Sequence, residues 1–443
     1  MLTPTTPVPS RLLARAITLA AAALVALGCH ANASTPVRTG ADSASVRRDI
    51  TYLASDALEG RATGTAGNDS AAAYIARRYE MLGLQQLCVP AEAAPACERG
   101  WLQRFNATSV AASRAGLSAR LPTQNVVALI RGSDPSMRNE YVVLGAHFDH
   151  LGRGSFGALD PDRGAEIRNG ADDNASGTVS VMELARLLAA RPPRRSVIVA
   201  HFSGEELGLL GAREFVNRPP VPIDSVVAMI NFDMVGRMRD DKLIIYGTGT
   251  ATELPALVDS ANVPSGLSLR TIGDGFGPSD HSAFYAKGIP VLHLFTDLHE
   301  DYHRATDDAH KINIEGTTRV IEYAERLTRL IADASKLTPI RTAPPAPVAS
   351  SGRGYGAYFG SIPDMGAVDV NGVRVTGVRE ASPADSAGVR AGDVIVEFGG
   401  RPVKDLYEFT DALRAHKPGD TVNVVVVRDG RRMTLRATLR RRG

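Results

Sequence analysis

The sequence lacks an excess of charge of either sign: 50 Lys and Arg stand against 48 Asp and Glu, for a net charge of +2. It is also poor in aromatic residues, which make up 5% of the chain and include a single Trp. Nucleic acid is therefore not an expected partner, because neither the positive field nor the stacking surface is present. The 44% of hydrophobic and 22% of charged residues are typical of a globular protein. A chain of 443 residues is too long for one compact core, so we expect two or more domains.

No run of apolar residues approaches the roughly 20 that a transmembrane helix needs. The longest run, residues 16–27, has 12 residues and follows two arginines, which is typical of a signal peptide. Two alternative processing sites follow: a small-x-small sequence at residues 31–33 and a lipoprotein-like sequence at residues 26–29 that ends in Cys29. We predict a signal peptide over residues 1–33 and an extracytoplasmic location. The protein would be periplasmic, secreted, or anchored in a bacterial envelope by a lipid on Cys29, its only predicted membrane contact.

Cysteine is scarce, with three residues in the chain. Cys29 belongs to the signal region, which leaves Cys88 and Cys97 in a stretch rich in Pro and Ala. In an oxidising compartment this pair predicts a disulfide that closes a short loop, and two free thiols are the alternative. No histidine lies near them, so they are not a zinc site.

Apolar runs of strand length alternate with helical patterns along the first two thirds of the chain. The predicted strands are residues 125–130, 141–144, 196–202 and 226–232, and the predicted helices are residues 46–58, 70–82 and 178–190. This alternation predicts an α/β fold, a three-layer sandwich with a central mixed, mostly parallel sheet. We predict a catalytic domain over residues 34–337, a Pro/Ala-rich linker over 338–352 and a small β-rich domain over 353–443.

Residues that suit metal binding follow several of these strands. They are His147 and Asp149 in H-F-D, Asp172 and Asp173 in A-D-D-N, the pair Glu205 and Glu206, Asp233 after N-F, and His303 and Asp307 in Y-H-R-A-T-D. Any one of these clusters alone is more often solvated charge than a functional site. Several of them at the ends of apolar strands are harder to explain in that way, because burying an unpaired carboxylate costs several kcal/mol. A bound cation at this edge of the sheet is therefore predicted.

The residue types favour zinc. Histidine with carboxylate and without cysteine suits Zn²⁺ and related ions, whereas an all-oxygen set would suit Mg²⁺ or Ca²⁺. Two histidines and three carboxylates exceed the needs of one open catalytic zinc. They suit two ions, about 3.5–4 Å apart, that share a bridging carboxylate. A further carboxylate beside a ligand, as in the pair Glu205 and Glu206, is what a general base requires.

The order of these motifs carries a resemblance to a known family. The sequences H-F-D, A-D-D-N-A-S-G, S-G-E-E-L-G-L-L-G-A, N-F-D-M, S-D-H-S-A-F and Y-H-R-A-T-D resemble those of the co-catalytic dizinc exopeptidases. This is the family of bacterial leucyl aminopeptidase and glutamate carboxypeptidase. The segment L-E-G-R-A-T-G-T-A-G-N, residues 58–68, is similar to the lead-in of many members, and the resemblance covers residues 46–337.

The resemblance implies two Zn²⁺ ions held by five ligands: His147 and Asp233 on one ion, Glu206 and His303 on the other, and Asp173 as the bridge between them. It implies a cis peptide bond after Asp173. Glu205 would be the general base, and Asp149 would orient His147 by accepting its other ring N–H. The role of Asp307 stays open.

The resemblance implies a metallo-exopeptidase, and we expect an aminopeptidase whose carboxylate-rich site binds the free α-amine of a peptide or protein. A dizinc carboxypeptidase or dipeptidase is the alternative. It would need a cation for the terminal carboxylate, for which Arg213, Arg237 and Arg304 are available. A non-catalytic peptide-binding protein on the same fold is a further alternative.

Residues 355–443 show a second pattern, with S-P-A-D-S-A-G-V-R-A-G-D-V-I-V-E-F-G-G at its centre. It resembles a PDZ domain of the type found in bacterial proteases. Such domains add an extended peptide to a sheet edge and bind its terminal carboxylate on backbone N–H groups of a loop. The matching loop would be residues 358–361, which departs from the usual G-φ-G-φ pattern. A peptide ligand of this domain is therefore an expected partner.

Overall fold

The structure is a computed structural model. It describes residues 1, 40–91, 94–107, 121–153, 157–160, 163–275, 277, 279–340, 357–363, 371–378, 381–404, 408–409, 412–413 and 415–440. The predicted signal peptide with Cys29, and most of the predicted linker, lie outside the described residues. Within the described part of the chain, no helix has both the length and the apolar character that crossing a membrane requires.

A central mixed sheet forms the frame of the larger domain. Its strands are β3 (Leu102–Asn106), β4 (Pro122–Ile130), β5 (Tyr141–His147), β8 (Ser196–Phe202), β9 (Val226–Phe232), β10 (Lys242–Tyr246), β11 (Ser268–Ile272) and β12 (Val291–Phe295), in the spatial order β11-β10-β12-β9-β5-β8-β4-β3. The central strands β12, β9, β5 and β8 run parallel to one another, and antiparallel pairs β8–β4, β4–β3 and β10–β12 flank them. The predicted mixed, mostly parallel α/β sheet is confirmed.

Helices cover both faces of this sheet. They are α1 (Ser43–Leu53), α2 (Ala66–Met81), α3 (Gly177–Ala190), α4 (Leu210–Asn217), α5 (Leu254–Asn262), α6 (His281–Tyr285) and α7 (Ile314–Asp333). Successive residues of a strand point to opposite faces. In β5, Val142 and Leu144 pack in a core with α1, α2, α3, α5 and α7, whereas Val143 packs in a second core with α4 and α6. The three-layer sandwich therefore follows from strands that are apolar on both faces.

Short elements complete this domain. Three 3₁₀ turns span Asp56–Arg61, Ile223–Ser225 and Ala309–Lys311, a π-helical turn spans Ala171–Ser176, and the remaining strands are β1 (Leu87–Ala91), β2 (Ala94–Gly100), β6 (Gly152–Arg153) and β7 (Ile167–Arg168). Strands β1 and β2 pair antiparallel. The predicted disulfide joins them: Cys88 is bonded to Cys97, with 5.3 Å between their Cα atoms.

The first two helices differ from the predicted ones at their ends. The predicted helix 46–58 ends at Leu53: Ala54 leaves the helical conformation, with φ −95° and ψ 23°, and the chain continues into a separate 3₁₀ turn at Asp56–Arg61. Helix α2 begins four residues earlier than expected, since the Thr65 hydroxyl accepts a hydrogen bond from the backbone N–H of Asn68 and caps it.

The smaller domain is built from antiparallel strands. They are β13 (Ser361–Pro363), β14 (Val373–Val378), β15 (Val394–Phe398), β16 (Arg401–Pro402), β17 (Thr421–Arg428) and β18 (Arg431–Thr438), with the short helix α8 (Pro383–Ser386). A turn at Asp429 and Gly430 joins β17 to β18, and both residues have positive φ, as a two-residue hairpin requires. Phe359, Phe398 and Phe409 meet in its core. The predicted small β-rich domain is confirmed.

Candidate metal centre and active site

The predicted ligands converge at one edge of the central sheet. His147 is the last residue of β5, Glu206 follows β8, and Asp233 follows β9 directly. These three strands are parallel neighbours, so their carboxyl ends lie side by side. Asp173 lies in the π-helical turn before α3, and His303 lies in the segment after β12.

Asp173 lies between two sets of donor atoms. Its Oδ1 is 3.3 Å from Nε2 of His147, which in turn is 3.5 Å from Oδ1 of Asp233. Its Oδ2 is 3.1 Å from Nε2 of His303, which is 3.2 Å from Oε2 of Glu206. The five predicted ligands thus form two groups that share one carboxylate. The bond between Asp173 and Asn174 is cis, as predicted.

The spacing of these atoms fits zinc. With Zn–N and Zn–O bonds of about 2.0–2.2 Å, two ligands of a tetrahedral ion lie about 3.3 Å apart. The distances within each group, 3.1 to 3.5 Å, agree with that separation. Oδ1 of Asp233 is also buried and accepts no hydrogen bond from a described residue, whereas its Oδ2 accepts one from the Ser279 hydroxyl at 2.7 Å. A cation beside this oxygen would satisfy it.

The electrostatics of the site favour positive charge. Burial alone would lower the pKa of His147, but the negative charges of Asp233 and Glu205 outweigh it and hold the pKa well above its ordinary value. His303 shows the same balance, with burial opposed by Glu206 and Asp173, and its pKa is also raised. The carboxylates therefore create a potential that stabilises a cation at both groups.

The contact predicted between Asp149 and His147 is made differently. Nδ1 of His147 lies 3.1 Å from the backbone oxygen of Asp149, while the Asp149 carboxylate is 3.8 Å away. The carboxylate instead accepts hydrogen bonds from the Thr63 hydroxyl at 2.8 Å and from the backbone N–H of Glu205 at 3.2 Å. Asp149 therefore positions the segment that carries Glu205, and its backbone orients His147.

Asp307, whose role was open, holds the turn that carries Asp173. One carboxylate oxygen accepts the backbone N–H groups of Asp172 and Asp173, at 2.9 and 3.1 Å. The backbone oxygen of Asp307 accepts the N–H of Ala171 at 3.0 Å. Since Asp307 lies four residues after His303, these bonds join the segments of two ligands.

The two adjacent glutamates have different environments. Burial raises the pKa of Glu205 well above its ordinary value, and the charge of Glu206 adds to this effect despite the opposing field of His147. Burial and Asp173 also act to raise the pKa of Glu206, but His303 and His150 outweigh them and lower it to about 2. Such a divergence separates a proton-accepting carboxylate from a permanently ionised one.

Three residues near the site were not given a role from the sequence. Nδ1 of His150 lies 2.8 Å from Oε1 of Glu206. The buried side chain of Arg61 donates to the backbone oxygens on either side of the ligand segments, and Asp280 is fully buried with neither oxygen accepting a hydrogen bond from a described residue. The motifs H-F-D-H, L-E-G-R and S-D-H-S contain these residues, so their position within the motifs was the available signal.

The three arginines considered as carboxylate receptors differ in availability. Arg237 donates to Asp301 at 2.5 Å and to the backbone oxygen of Lys311 at 3.1 Å. Arg213 is exposed on α4. Arg304, beside the ligand His303, is half-buried, and its Nε donates to no described residue.

An α/β sandwich that brings two His–carboxylate groups together around one shared carboxylate has the features expected of a metallopeptidase. Residues 125–328 match the sequence model of peptidase family M28, and residues 350–439 match that of the PDZ domain. The chain therefore contains a family M28 peptidase domain followed by a PDZ domain, which confirms the resemblance seen in the sequence. All five predicted ligands and Glu205 lie within the M28 match. The exact domain boundaries stay predictions.

Individual relatives agree with this assignment. Leucine aminopeptidase 2 of Trichophyton rubrum is 28% identical over 234 residues, which are 46% of this chain and 44% of that protein. The chain thus spans less than half the length of the curated relatives it matches. Among solved structures, an aminopeptidase from Aneurinibacillus sp. strain AM-1 shares 17% identity with a TM-score of 0.51, covering 69% of this chain and 98% of that one. A Zn-dependent exopeptidase from Parabacteroides distasonis shares 18% with a TM-score of 0.53, covering 67% and 99%. These two likenesses show the fold.

Proposed function

We propose that the protein is an extracytoplasmic, zinc-dependent aminopeptidase that removes N-terminal residues from peptides at a two-zinc site. The observation that carries the proposal is the pair of donor groups that share Asp173, within a domain of a peptidase family. The relatives described above are a leucine aminopeptidase and a zinc-dependent exopeptidase, which supports both the metal and the reaction.

The residues of the chain supply the remaining chemistry. Bound zinc would polarise the substrate carbonyl and activate a water molecule. Glu205 accepts the proton of that water and passes it to the leaving amine, and its raised pKa suits this exchange. Asp149 accepts the backbone N–H of Glu205 and so fixes where the base stands. His147, Asp173, Asp233, Glu206 and His303 would hold the two ions.

An aminopeptidase agrees better with the surrounding charges than a carboxypeptidase. The free α-amine of a substrate is a cation, and the site is dominated by carboxylates. Arg237 is already engaged by Asp301 and does not offer a free receptor for a terminal carboxylate. One observation favours the carboxypeptidase alternative: Arg304 is adjacent to His303, and its Nε donates to no described residue.

The metal requirement is tested with chelators. Treatment with 1,10-phenanthroline or EDTA should abolish the release of N-terminal residues from chromogenic amides, and added zinc should restore it. Activity that survives exhaustive removal of metal would overturn the proposal. A chain that binds zinc but hydrolyses none of the substrates would instead favour a non-catalytic peptide-binding protein.

The end of the peptide that is attacked is tested with blocked substrates. N-acetylation of a peptide should abolish its cleavage, because the free α-amine is lost, whereas C-terminal amidation should leave the rate unchanged. The opposite pattern would favour a carboxypeptidase, and Arg304→Gln would then raise KM for the free acid.

We further propose that the PDZ domain docks a peptide or protein and that the chain is exported. Intact mass and N-terminal sequencing of protein from the cell envelope should show cleavage after residue 33 or a lipid on Cys29. A mature chain that keeps residues 1–33 in the cytoplasm would contradict export. A library of peptides with free and amidated C-termini should reveal a ligand of the isolated region 353–443, and the absence of any binder would contradict docking.

A further inference from the structure

His150 lies against the second group of ligands without being one of the predicted ligands. Its ring is 2% exposed, and Nδ1 is 2.8 Å from Oε1 of Glu206 and 3.8 Å from Oδ2 of Asp173. The ring meets that of His303 edge to face, with 5.7 Å between centroids.

The direction of the hydrogen bond follows from the chemistry of the two groups. An ionised carboxylate can only accept, so Nδ1 of His150 carries the hydrogen and donates it to Oε1 of Glu206. Nε2 of His150 is buried and has no hydrogen-bond partner among the described residues. Nδ1 is therefore the ring nitrogen that forms a hydrogen bond with the site.

The position of the ring is fixed by the backbone beside it. Gly170 has a φ of 56°, and a Cβ atom there would lie 2.4 Å from Cγ of His150. Gly170 directly precedes the turn that carries Asp173. The ring therefore lies on the backbone that carries the bridging ligand while it bonds the carboxylate of Glu206.

This contact divides the two oxygens of Glu206. Oε1 is taken by His150, while Oε2 faces Nε2 of His303 at 3.2 Å. A carboxylate that is held through one oxygen cannot rotate freely, so the other oxygen stays directed at the second ion's position. Hydrogen bonds of this kind typically contribute 10–100-fold to metal affinity.

We propose that His150 is a positioning residue that holds Glu206 for the second zinc ion, the one shared by Asp173, Glu206 and His303. The inference rests on the proposed two-zinc function. It concerns the affinity of one metal site and not the chemical step, so zinc binding measures it without any assay of activity.

The experiment compares two substitutions of His150. His150→Leu keeps an apolar side chain but removes the donor. His150→Asn keeps a donor, because its amide nitrogen is as many bonds from the backbone as Nδ1. Metal-free protein is titrated with zinc in competition with a chromophoric chelator. His150→Leu should weaken the second site about 10–100-fold and leave the first unchanged, while His150→Asn should stay near the parent.

His201→Leu is the matched control. His201, on β8, is also a fully buried histidine, but its ring is hydrogen-bonded to the hydroxyl of Tyr79 on α2. It should change stability without changing the affinity of either zinc site. A double-mutant cycle adds a second test: in a Glu206→Ala background, His150→Leu should cause no further loss of zinc affinity.

The outcomes separate the two hypotheses. If the parent binds two zinc ions and His150→Leu binds both as tightly, the positioning role is overturned. The same holds if His150→Asn is as weak as His150→Leu, because the imidazole would then be needed as a metal ligand itself. If the parent binds fewer than two zinc ions, the proposed function fails instead.

Discussion

Arg61 offers a sharp test of how the site is held in place. Its side chain is fully buried and donates four hydrogen bonds, all to backbone oxygens. Nε bonds Phe148 at 2.7 Å, Nη1 bonds Asn169 at 2.7 Å and Leu53 at 2.5 Å, and Nη2 bonds Gly170 at 2.9 Å. Phe148 follows the ligand His147, and residues 169–170 lead into the turn of Asp173. Arg61 therefore joins two ligand-bearing segments.

The guanidinium stays charged at neutral pH. Burial lowers its pKa to about 10, although the carboxylates of Asp149, Asp173, Asp307 and Glu206 act to raise it. A hydrogen bond from a charged donor contributes about 1.5–3 kcal/mol, and such bonds are not additive when they share one group. Arg61→Ala would leave four buried carbonyl oxygens without their donor, and each unpaired buried group costs about 1–3 kcal/mol, less than additively. We therefore expect Arg61→Ala to lower the free energy of unfolding by about 3–5 kcal/mol.

Arg61→Lys separates charge from geometry. Lysine keeps the positive charge, but its three donors stand on one nitrogen and cannot reach four oxygens that converge on a planar fork. At least one carbonyl should stay unpaired, at about 1–3 kcal/mol. We therefore expect Arg61→Lys to lie between the parent and Arg61→Ala, and it gives a measurable variant if Arg61→Ala does not fold.

Urea unfolding measures both variants, with the fluorescence of Trp101, the single tryptophan, and far-ultraviolet circular dichroism as probes. Arg47→Ala on α1 is the control, because Arg47 is exposed and its loss should change stability by about 0.5 kcal/mol or less. The reasoning is refuted if Arg61→Ala unfolds within about 1 kcal/mol of the parent, or if Arg61→Lys is as stable as the parent.

Three further outcomes are expected. Glu205→Gln should keep both zinc ions, as measured by elemental analysis, and its kcat should fall by about 10²–10⁴-fold, whereas Glu206→Gln should lose zinc. The reverse pattern would exchange the roles of the two glutamates. Asp307→Ala should weaken zinc binding in chelator competition and lower the free energy of unfolding by about 2–6 kcal/mol, because two buried N–H groups lose their acceptor. Asp307→Asn should cause smaller losses of zinc affinity and stability, and equal effects of the two variants would contradict this reasoning. Removing the disulfide by Cys88→Ala with Cys97→Ala should lower the free energy of unfolding by about 2–3 kcal/mol in a urea titration, given its short loop, and an unchanged value would contradict a structural role.

The convergence of the five predicted ligands could be anticipated from the sequence because several of them coincide with strand ends along the chain. His147 and Asp233 each stand at the end of an apolar run, and parallel neighbours place such ends together. The predicted strand 141–144 ends three residues before the observed end of β5 at His147, because Gly145 interrupts the apolar run. The structure explains this glycine: a Cβ there would lie 2.6 Å from Cε of Met229 and 2.7 Å from Phe202.

The residues around the ligands could not be predicted in the same way. The four oxygens that Arg61 binds belong to residues between 8 and 109 positions away in the chain. No local pattern specifies such a set, since the segments meet only when the sheet and α3 are assembled. The contacts of the Asp149 carboxylate could not be predicted locally either. Its position two residues after His147 suggests that it accepts the imidazole N–H. The turn of the chain gives that role to its backbone oxygen instead.

The different roles proposed for Glu205 and Glu206 agree with the different neighbours of the two side chains. The backbone N–H of Glu205 is held by Asp149, which anchors the segment, and the Glu206 carboxylate is held by His150 and His303. Both imidazoles lower the pKa of Glu206, whereas desolvation raises the pKa of Glu205 and the charge of Glu206 adds to this effect, despite the opposing field of His147. A general base must keep its affinity for a proton, and a metal ligand must not. The contacts of His150 and His303 with Glu206 therefore support the proposed assignment of Glu206 as the metal ligand and Glu205 as the base.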